Sequence, residues 1–302
     1  MKLSLHTSEL GQWETAQRDA HPRLRGYVHG YFASSSYLQK PVLERHLPST
    51  EVPLLINFRS PHRRQTSRNN GSGSWTSHDG IWTIGLQNRF ALAEAAGERE
   101  FMVVRFTPIG AHAFLGMPMH VLANGAINLA EIDRNLTSEI ESRVLRSRGW
   151  AARFDAIEQV IAGRIAGRGN VSGAIHSAWN RLVHADGRIA LSTLASDLAC
   201  SHRTLIGEFR EHIGIAPKSA ARLLRFNRLV RALNALTRDD HEPASKPFIE
   251  RPGRANSARP TVRWADLAAA CGFFDQAHLV REFQSFAGAT PAAFLRFVAN
   301  ER

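Results

Sequence analysis

The feature that most constrains this chain is that part of it occurs twice. At an offset of 74 residues, Leu205 falls on Leu279, Ile206 on Val280, Glu208 on Glu282, Phe209 on Phe283, Gly214 on Gly288, Pro217 on Pro291 and Arg222 on Arg296. Apolar positions, turn glycines and prolines recur together, so the copies share a structural plan. A solenoid needs at least about three repeats to bury a continuous core, so two copies point to a duplicated supersecondary module. Each copy reads as a helix-turn-helix. LSTLASDLA (191–199) turns through Cys200 and Ser201 into SHRTLIGEFREHI (201–213), and WADLAAA (264–270) turns through Cys271, Gly272 and Phe273 into DQAHLVREFQSFA (275–287). The punctuation agrees: Ser172, Ser192 and Ser201 stand where N-caps belong, Pro217 and Pro291 suit first helical positions, and Gly187, Gly214 and Gly288 mark ends or turns.

At about 100° per residue, Leu205, Ile206, Phe209 and Ile213 share one arc of the first unit's second helix, with His202 projecting toward the same packed side. Leu279, Val280, Phe283, Phe286 and Ala287 do the same in the second. The opposite faces carry Arg203, Thr204, Gly207, Arg210 and Glu211, and Ala277, His278, Arg281, Gln284 and Ser285. The second helix of such a pair is the one that can enter a major groove, so these faces are candidate DNA readers. Between the units, PKSAARLLRFNRLVRALNALT (217–237) reads as one amphipathic helix, with Leu223, Phe226, Val230 and Leu233 in a narrow arc and Arg225, Arg228 and Arg231 largely outside it. Such a spacer would let both reading helices enter successive major grooves about one helical turn apart.

The run GFFDQAHLVREFQSFAGATPAAFLR (272–296) resembles the signature of AraC/XylS-type bacterial transcription regulators, and LASDLACSHRTLIGEF is similar to that family's first helix-turn-helix. The resemblance covers about 176–298. In the first half, HPRLRGYVHGYF, HLPSTEVPLLINF and VVRFTPIGAHAFLGMP are similar to a β-rich N-terminal domain found on some such regulators. The resemblance implies a DNA-binding regulator with a sensing or dimerising N-terminal half, and RNA polymerase as a partner if it activates. The chain departs from the pattern in two places. Family members commonly carry Arg where this chain has Gly207, so the first unit either loses a base contact there or reads through Arg203. The connector 237–263 is long and rich in Pro, Arg and Ala; it reads as a surface insertion, with phosphate contacts through Arg251, Arg254, Arg259 and Arg263 as the alternative.

The first half has a different pattern. Short runs of strand formers at 52–58, 81–86 and 101–106 give way to helical spacing from about 110 to 169, and the polar stretch 60–74 (SPHRRQTSRNNGSGS) reads as a solvated loop in which Arg63, Arg64 and Arg68 could touch nucleic acid. The fold class is therefore an α+β N-terminal domain (1–168), β-rich and backed by helices, followed by an all-α C-terminal domain (172–302). The latter holds helix-turn-helix units at 191–213 and 264–287, a linker helix at 217–237 and an inserted loop at 238–263. The formal net charge of +11 favours a polyanionic partner but cannot choose one. Two cysteines build no disulfide framework, no apolar run approaches the roughly 20 residues of a membrane span, and a secretory signal is absent, so a cytoplasmic protein is expected.

Arg203 and Arg281 are the best candidates for base readout, because an Arg fork can bond both acceptors of a guanine edge; phosphate binding or plain solvation is the alternative. Thr204, Gly207, Gln276, Ala277 and His278 complete the base-facing set. Ser201, Arg210, Lys218, Arg222, Arg225 and Gln284 suit phosphate contacts, with a solvated charged face as the competitor. Cys200 and Cys271 fall at matching turn positions and read as inert. Tyr27, Tyr31, Trp75, Trp82, Phe90 and Phe106 either line an effector pocket or are ordinary core. The other reading is an enzyme or ligand-binding protein with a fused DNA-binding tail. No nucleophile elbow, phosphate-cradling glycine loop or metal constellation stands in the first half, so no cofactor and no metal are expected. The expected partners are double-stranded DNA, a small-molecule effector and, for a dimeric regulator, a second copy of the chain.

Overall fold

The computed structural model describes residues 1–8, 11–66, 74–168, 173–236, 248–249 and 262–299. The first half is built on one antiparallel sheet of β1 (Lys2–Ser8), β2 (Gly11–Asp19), β3 (Val28–His46), β4 (Val52–Asn57), β5 (His62–Thr66), β6 (Trp75–His78), β7 (Ile81–Ile84), β8 (Ala91–Phe106) and β9 (Ala126–Asn128), with β10 (Phe248–Ile249) beside β3. The order is β1-β2-β3-β8-β4-β7-β9, with β5 alongside the early part of β8 and β6 beyond it. Residues 62–66, expected in a loop, form a strand instead. β8 gives them a ladder from Arg63↔Glu94 to Thr66↔Ala91, and Arg63 Nη1 lies 2.7 Å from the Glu94 carboxylate. Arg64 is buried, and Arg68 lies outside the described residues.

Two long strands, β3 and β8, organise the sheet, and the face they bury changes along their length. Met102, Val104 and Phe106 of β8 are buried together with Val52, Leu54 and Ile56 of β4, on the face covered by helices. In the early part of β8 the buried residues are Ala91, Ala93, Ala95 and Arg99, which have the opposite parity and so point to the other face. Between these stretches of the ribbon, the β3–β8 register shifts between Leu38 and Val42, at Pro41 and opposite Gly97, whose φ is +62°. Pro cannot donate to a ladder and is tolerated at such a bulge.

Helices α1 (Pro108–Leu115), α2 (Leu129–Ile132), α3 (Arg134–Ile140) and α4 (Gly149–Arg168) back the sheet. Thr107 caps α1 through the Gly110 N–H, with Pro108 at the first position and Gly116 closing the end in the left-handed region. α4 packs Phe154 against Tyr31 and is tied to the sheet by Arg18, which reaches Asp155 at 2.5 Å and Glu158 at 3.0 Å.

The second half is helical: α5 (Gly173–His184), α6 (Leu191–Asp197), α7 (His202–His212), α8 (Pro217–Ala235), α9 (Trp264–Cys271), α10 (Gln276–Ala287) and α11 (Pro291–Ala299). Ser201 caps α7 as expected, but α6 begins after Ala190 without a side-chain cap, so Ser192 lies inside the helix. Ser172 lies outside the described residues, as does most of the 238–263 insertion. The two halves do not keep separate cores. A single apolar cluster runs from Ala16 through the sheet and α4 to Ile175, Trp179, Leu205, Phe209 and Ala220. A second cluster gathers Leu223, Phe226, Leu229 and Leu233 of α8 with Leu279, Phe283 and Phe286 of α10. Helix α8 therefore contributes to both.

Candidate DNA interface

Each reading helix is fixed at its start by the same device in different chemistry. In the first unit the Thr204 N–H donates to Ser201 Oγ at 3.1 Å, and the two hydroxyls lie 2.9 Å apart. In the second, at the equivalent positions, the His278 N–H donates to Asp275 Oδ1 at 2.6 Å. The His278 ring also accepts the Phe274 N–H at 3.3 Å and stands edge-on to Phe273. Thr204 and His278, both expected to face bases, thus turn their side chains back onto their own turns.

The remaining exposed positions are open. Arg203, Gly207 and Arg210 on α7, and Gln276, Ala277, Arg281 and Gln284 on α10, are all exposed, as are Ser201 and Lys218. Among the described residues, Arg203, Arg210, Lys218 and Arg281 have no carboxylate partner. Lys218 follows Pro217 at the start of α8, where unpaired backbone N–H groups add positive potential. A Cβ on Gly207 would meet nothing within 4 Å, so no close approach demands glycine there. Two projections differ from expectation. Ile206 is 42% exposed although it was placed on the packed arc, and His202 is exposed at the start of α7. Leu205 and Phe209 suffice to dock the helix, which leaves its flanks in solvent.

The linker arginines have intramolecular work. Arg222 forks onto Glu282 at 2.7 and 3.0 Å and lies over the Phe286 ring, which ties α8 to α10. Arg225 donates to the Gly187 carbonyl at 2.8 Å, and burial lowers its guanidinium pKa. Arg228 and Arg231 both pair with Asp186, the latter at 2.9 Å. The linker itself holds no acid, so sequence reading left these cations unpartnered. The signals were Asp186 in the turn before Gly187 and Glu282 on the facing helix. Arg263 lies 3.9 Å from Asp266 at the surface, while Arg251, Arg254 and Arg259 fall outside the described residues. Cys200 is half-buried; Cys271 is buried, which pushes its thiol pKa up, away from thiolate chemistry.

The second unit also touches the first half of the chain. The Phe90 N–H donates to the Phe286 carbonyl at 2.8 Å, and Arg45 Nη1 donates to the Ala287 carbonyl at 2.9 Å while stacking on Phe90. Gly288, at φ +68°, closes α10 here, and a Cβ on it would lie 2.1 Å from the Phe90 ring. Asn227 of α8 donates to the Pro48 carbonyl and accepts from the Thr50 N–H. Phe90 is therefore an interface residue, whereas Tyr31 and Phe106 belong to the core and Trp75 is partly exposed.

Residues 17–128 match a family described as a domain of unknown function, DUF6597. No curated protein matches the sequence. Among solved structures the chain is similar to ToxT from Vibrio cholerae O395, at 10% identity and a TM-score of 0.43 over 96% of this chain and 99% of that one. ToxT bound to (E)-4-(8-methylnaphthalen-1-yl)but-3-enoic acid gives 10% identity and a TM-score of 0.44 over 96% and 100%. Bacillus subtilis oxalate decarboxylase matches at 12% identity and a TM-score of 0.24 over 35% of this chain and 27% of that one.

Proposed function

We propose that this chain is a sequence-specific DNA-binding transcription regulator of the AraC type, whose first half senses a small molecule. The supporting observation is a division among the cations. The linker arginines are consumed by internal ion pairs and hydrogen bonds, whereas Arg203, Arg210 and Arg281 on the duplicated reading helices, with Lys218 beside them, stand exposed and unpaired. Unpaired arginine on an exposed helix is what guanine edges and phosphates require. In this reading Arg203 and Arg281 contact bases, with Gln276 and Ala277 beside them, and Ser201, Arg210, Lys218 and Gln284 hold phosphates. Thr204 and His278 shape the turns that aim the helices. RNA polymerase contact and dimer formation belong to the same proposal.

The test is a band-shift series with the full chain on fragments selected from random duplex DNA. A regulator of this kind enriches a bipartite site, and its affinity falls steeply as salt rises. Failure to enrich any sequence overturns the reading.

A further inference from the structure

The side of the sheet away from the helices curls around a buried polar region, the chamber, whose residues belong to neither apolar cluster. Strand register defines it. Across β3, β8 and β5, Glu44 pairs with Ala93 and Ala93 with Arg64; one step along, His46 pairs with Ala91. Cross-strand partners share a face, so Ala91, Ala93 and Ala95 form a floor of small side chains between Glu44 and His46 on one flank and His62 and Arg64 on the other. The rings of His62 on β5 and Trp82 on β7, strands that are not neighbours in the sheet, come within 5.5 Å, so the sheet curls around this face. His78 stacks on Trp82 at 4.1 Å.

The charges inside do not balance. Arg99 is satisfied by Glu44 at 3.3 Å and by the His62 ring at 3.0 Å. Arg64 is only 5% exposed, pairs with no carboxylate among the described residues, and its Nη1 has no hydrogen-bond partner. Trp82 is wholly buried, and its indole N–H is likewise unpaired. Burial pushes His62 down to about 3, helped by the nearby cations, so it stays neutral and adds no further positive charge. An unpaired buried guanidinium is among the costliest arrangements in a protein interior, and two orphaned donors on one face call for an acceptor. No group of three His, Cys, Asp or Glu that could hold a metal ion occurs among the described residues.

We propose that this chamber binds a small organic monocarboxylate, with the carboxylate on Arg64 and the apolar body over the Ala91–Ala93–Ala95 floor and Trp82. One uncompensated positive charge matches one negative head, and the three alanines are the smallest side chains between the polar flanks. The proposal deepens the reading of the first half as the ligand-sensing half and rests on it.

Isothermal titration of the full chain with butanoate, octanoate and benzoate, beside the matching amides and inorganic phosphate, tests it without DNA. At least one carboxylate should bind at least ten-fold more tightly than its amide, and phosphate should not bind. Arg64→Met should lose that binding at least ten-fold while raising the melting temperature of the unliganded protein, because it replaces an unpaired buried charge by an apolar chain of similar length. Ala93→Leu, which fills the floor and keeps Arg64, should lose binding too. The proposal is overturned if no carboxylate binds, if Arg64→Met binds like the parent, or if phosphate binds as well as the carboxylates do. Loss of sequence-selective DNA binding with carboxylate binding intact would instead sink the regulator reading alone.

Discussion

Gly207 and Arg281 occupy the same position in the two units, one bare and one armed. Glycine in an exposed helix interior costs about 0.5–1 kcal/mol relative to a good helix former, and nothing within 4 Å of a Cβ there explains its presence. Gly207→Arg should therefore stabilise the chain by up to about 1 kcal/mol in thermal denaturation and tighten DNA binding in band shifts. Arg281→Ala should weaken discrimination at one base position by roughly 1–3 kcal/mol, whereas Lys218→Ala should weaken all sequences alike and reduce the salt slope by about one charge. Sequence reading reached these positions because helical projection depends only on spacing. It did not show that the Thr204 and His278 side chains turn back to the N-cap and turn, since projection says where a Cβ points and not which local hydrogen bond captures its side chain. Arg64 was hidden for a related reason: RR in a polar stretch looks solvated until β8 pairs with it and turns every second residue inward.

Among the elements, the helices of the second half were legible, because apolar periodicity repeats there and the two equivalent helices α7 and α10 carry side-chain caps at matching positions. The long strand β3 was not: its sequence, VHGYFASSSYLQKPVLERH, is interrupted by a run of three serines and by Pro41, and its place comes from β2 and β8 on either side. Helix α8 shows the same division. Its amphipathic pattern was plain, but the partners of its arginines lie on other elements. Its bidentate pair with Glu282 should be worth about 1 kcal/mol, so Glu282→Gln should lower the urea midpoint measurably. The repeat-equivalent Glu208→Gln should do little, because Glu208 is exposed and its carboxylate, among the described residues, pairs only with His212, at 3.5 Å. Equal effects at the two sites would show that the Arg222 fork does not brace α8 against α10.

For the molecule as a whole, many arginines of the first half are held by internal ion pairs, which fix those side chains without removing the net positive charge. Arg18, Arg59, Arg63, Arg99, Arg105, Arg143, Arg153 and Arg164 all pair with carboxylates. Acid should find the chamber first. The folded pKa of His62 is about 3, below its usual 6.5, so the unfolded chain takes up its proton earlier and stability falls as pH drops through 6.5 toward 3. Burial alone would raise the Glu44 carboxyl, but the His46 ring 3.4 Å away and Arg99 hold it near 2, so its contribution is lost between about 4.5 and 2. His62→Gln should flatten the upper part of this acid limb in pH-dependent denaturation and leave the lower part. The chamber and the second reading helix also meet on β3, where Glu44 and His46 line the chamber and Arg45, between them, bonds the end of α10. Arg45→Ala should change DNA affinity without altering carboxylate affinity at the chamber itself, and should reduce any effect that one ligand has on the other. The shared apolar cluster carries a different consequence. Because α7, which buries Leu205 and Phe209, packs on α1 and on residues 119–121 within the cluster that runs through the first half, cutting the chain near 170 would strip both fragments of the surface that covers them. The helical second half of this chain should aggregate when expressed alone, and the intact chain should resist division by proteases into two stable halves.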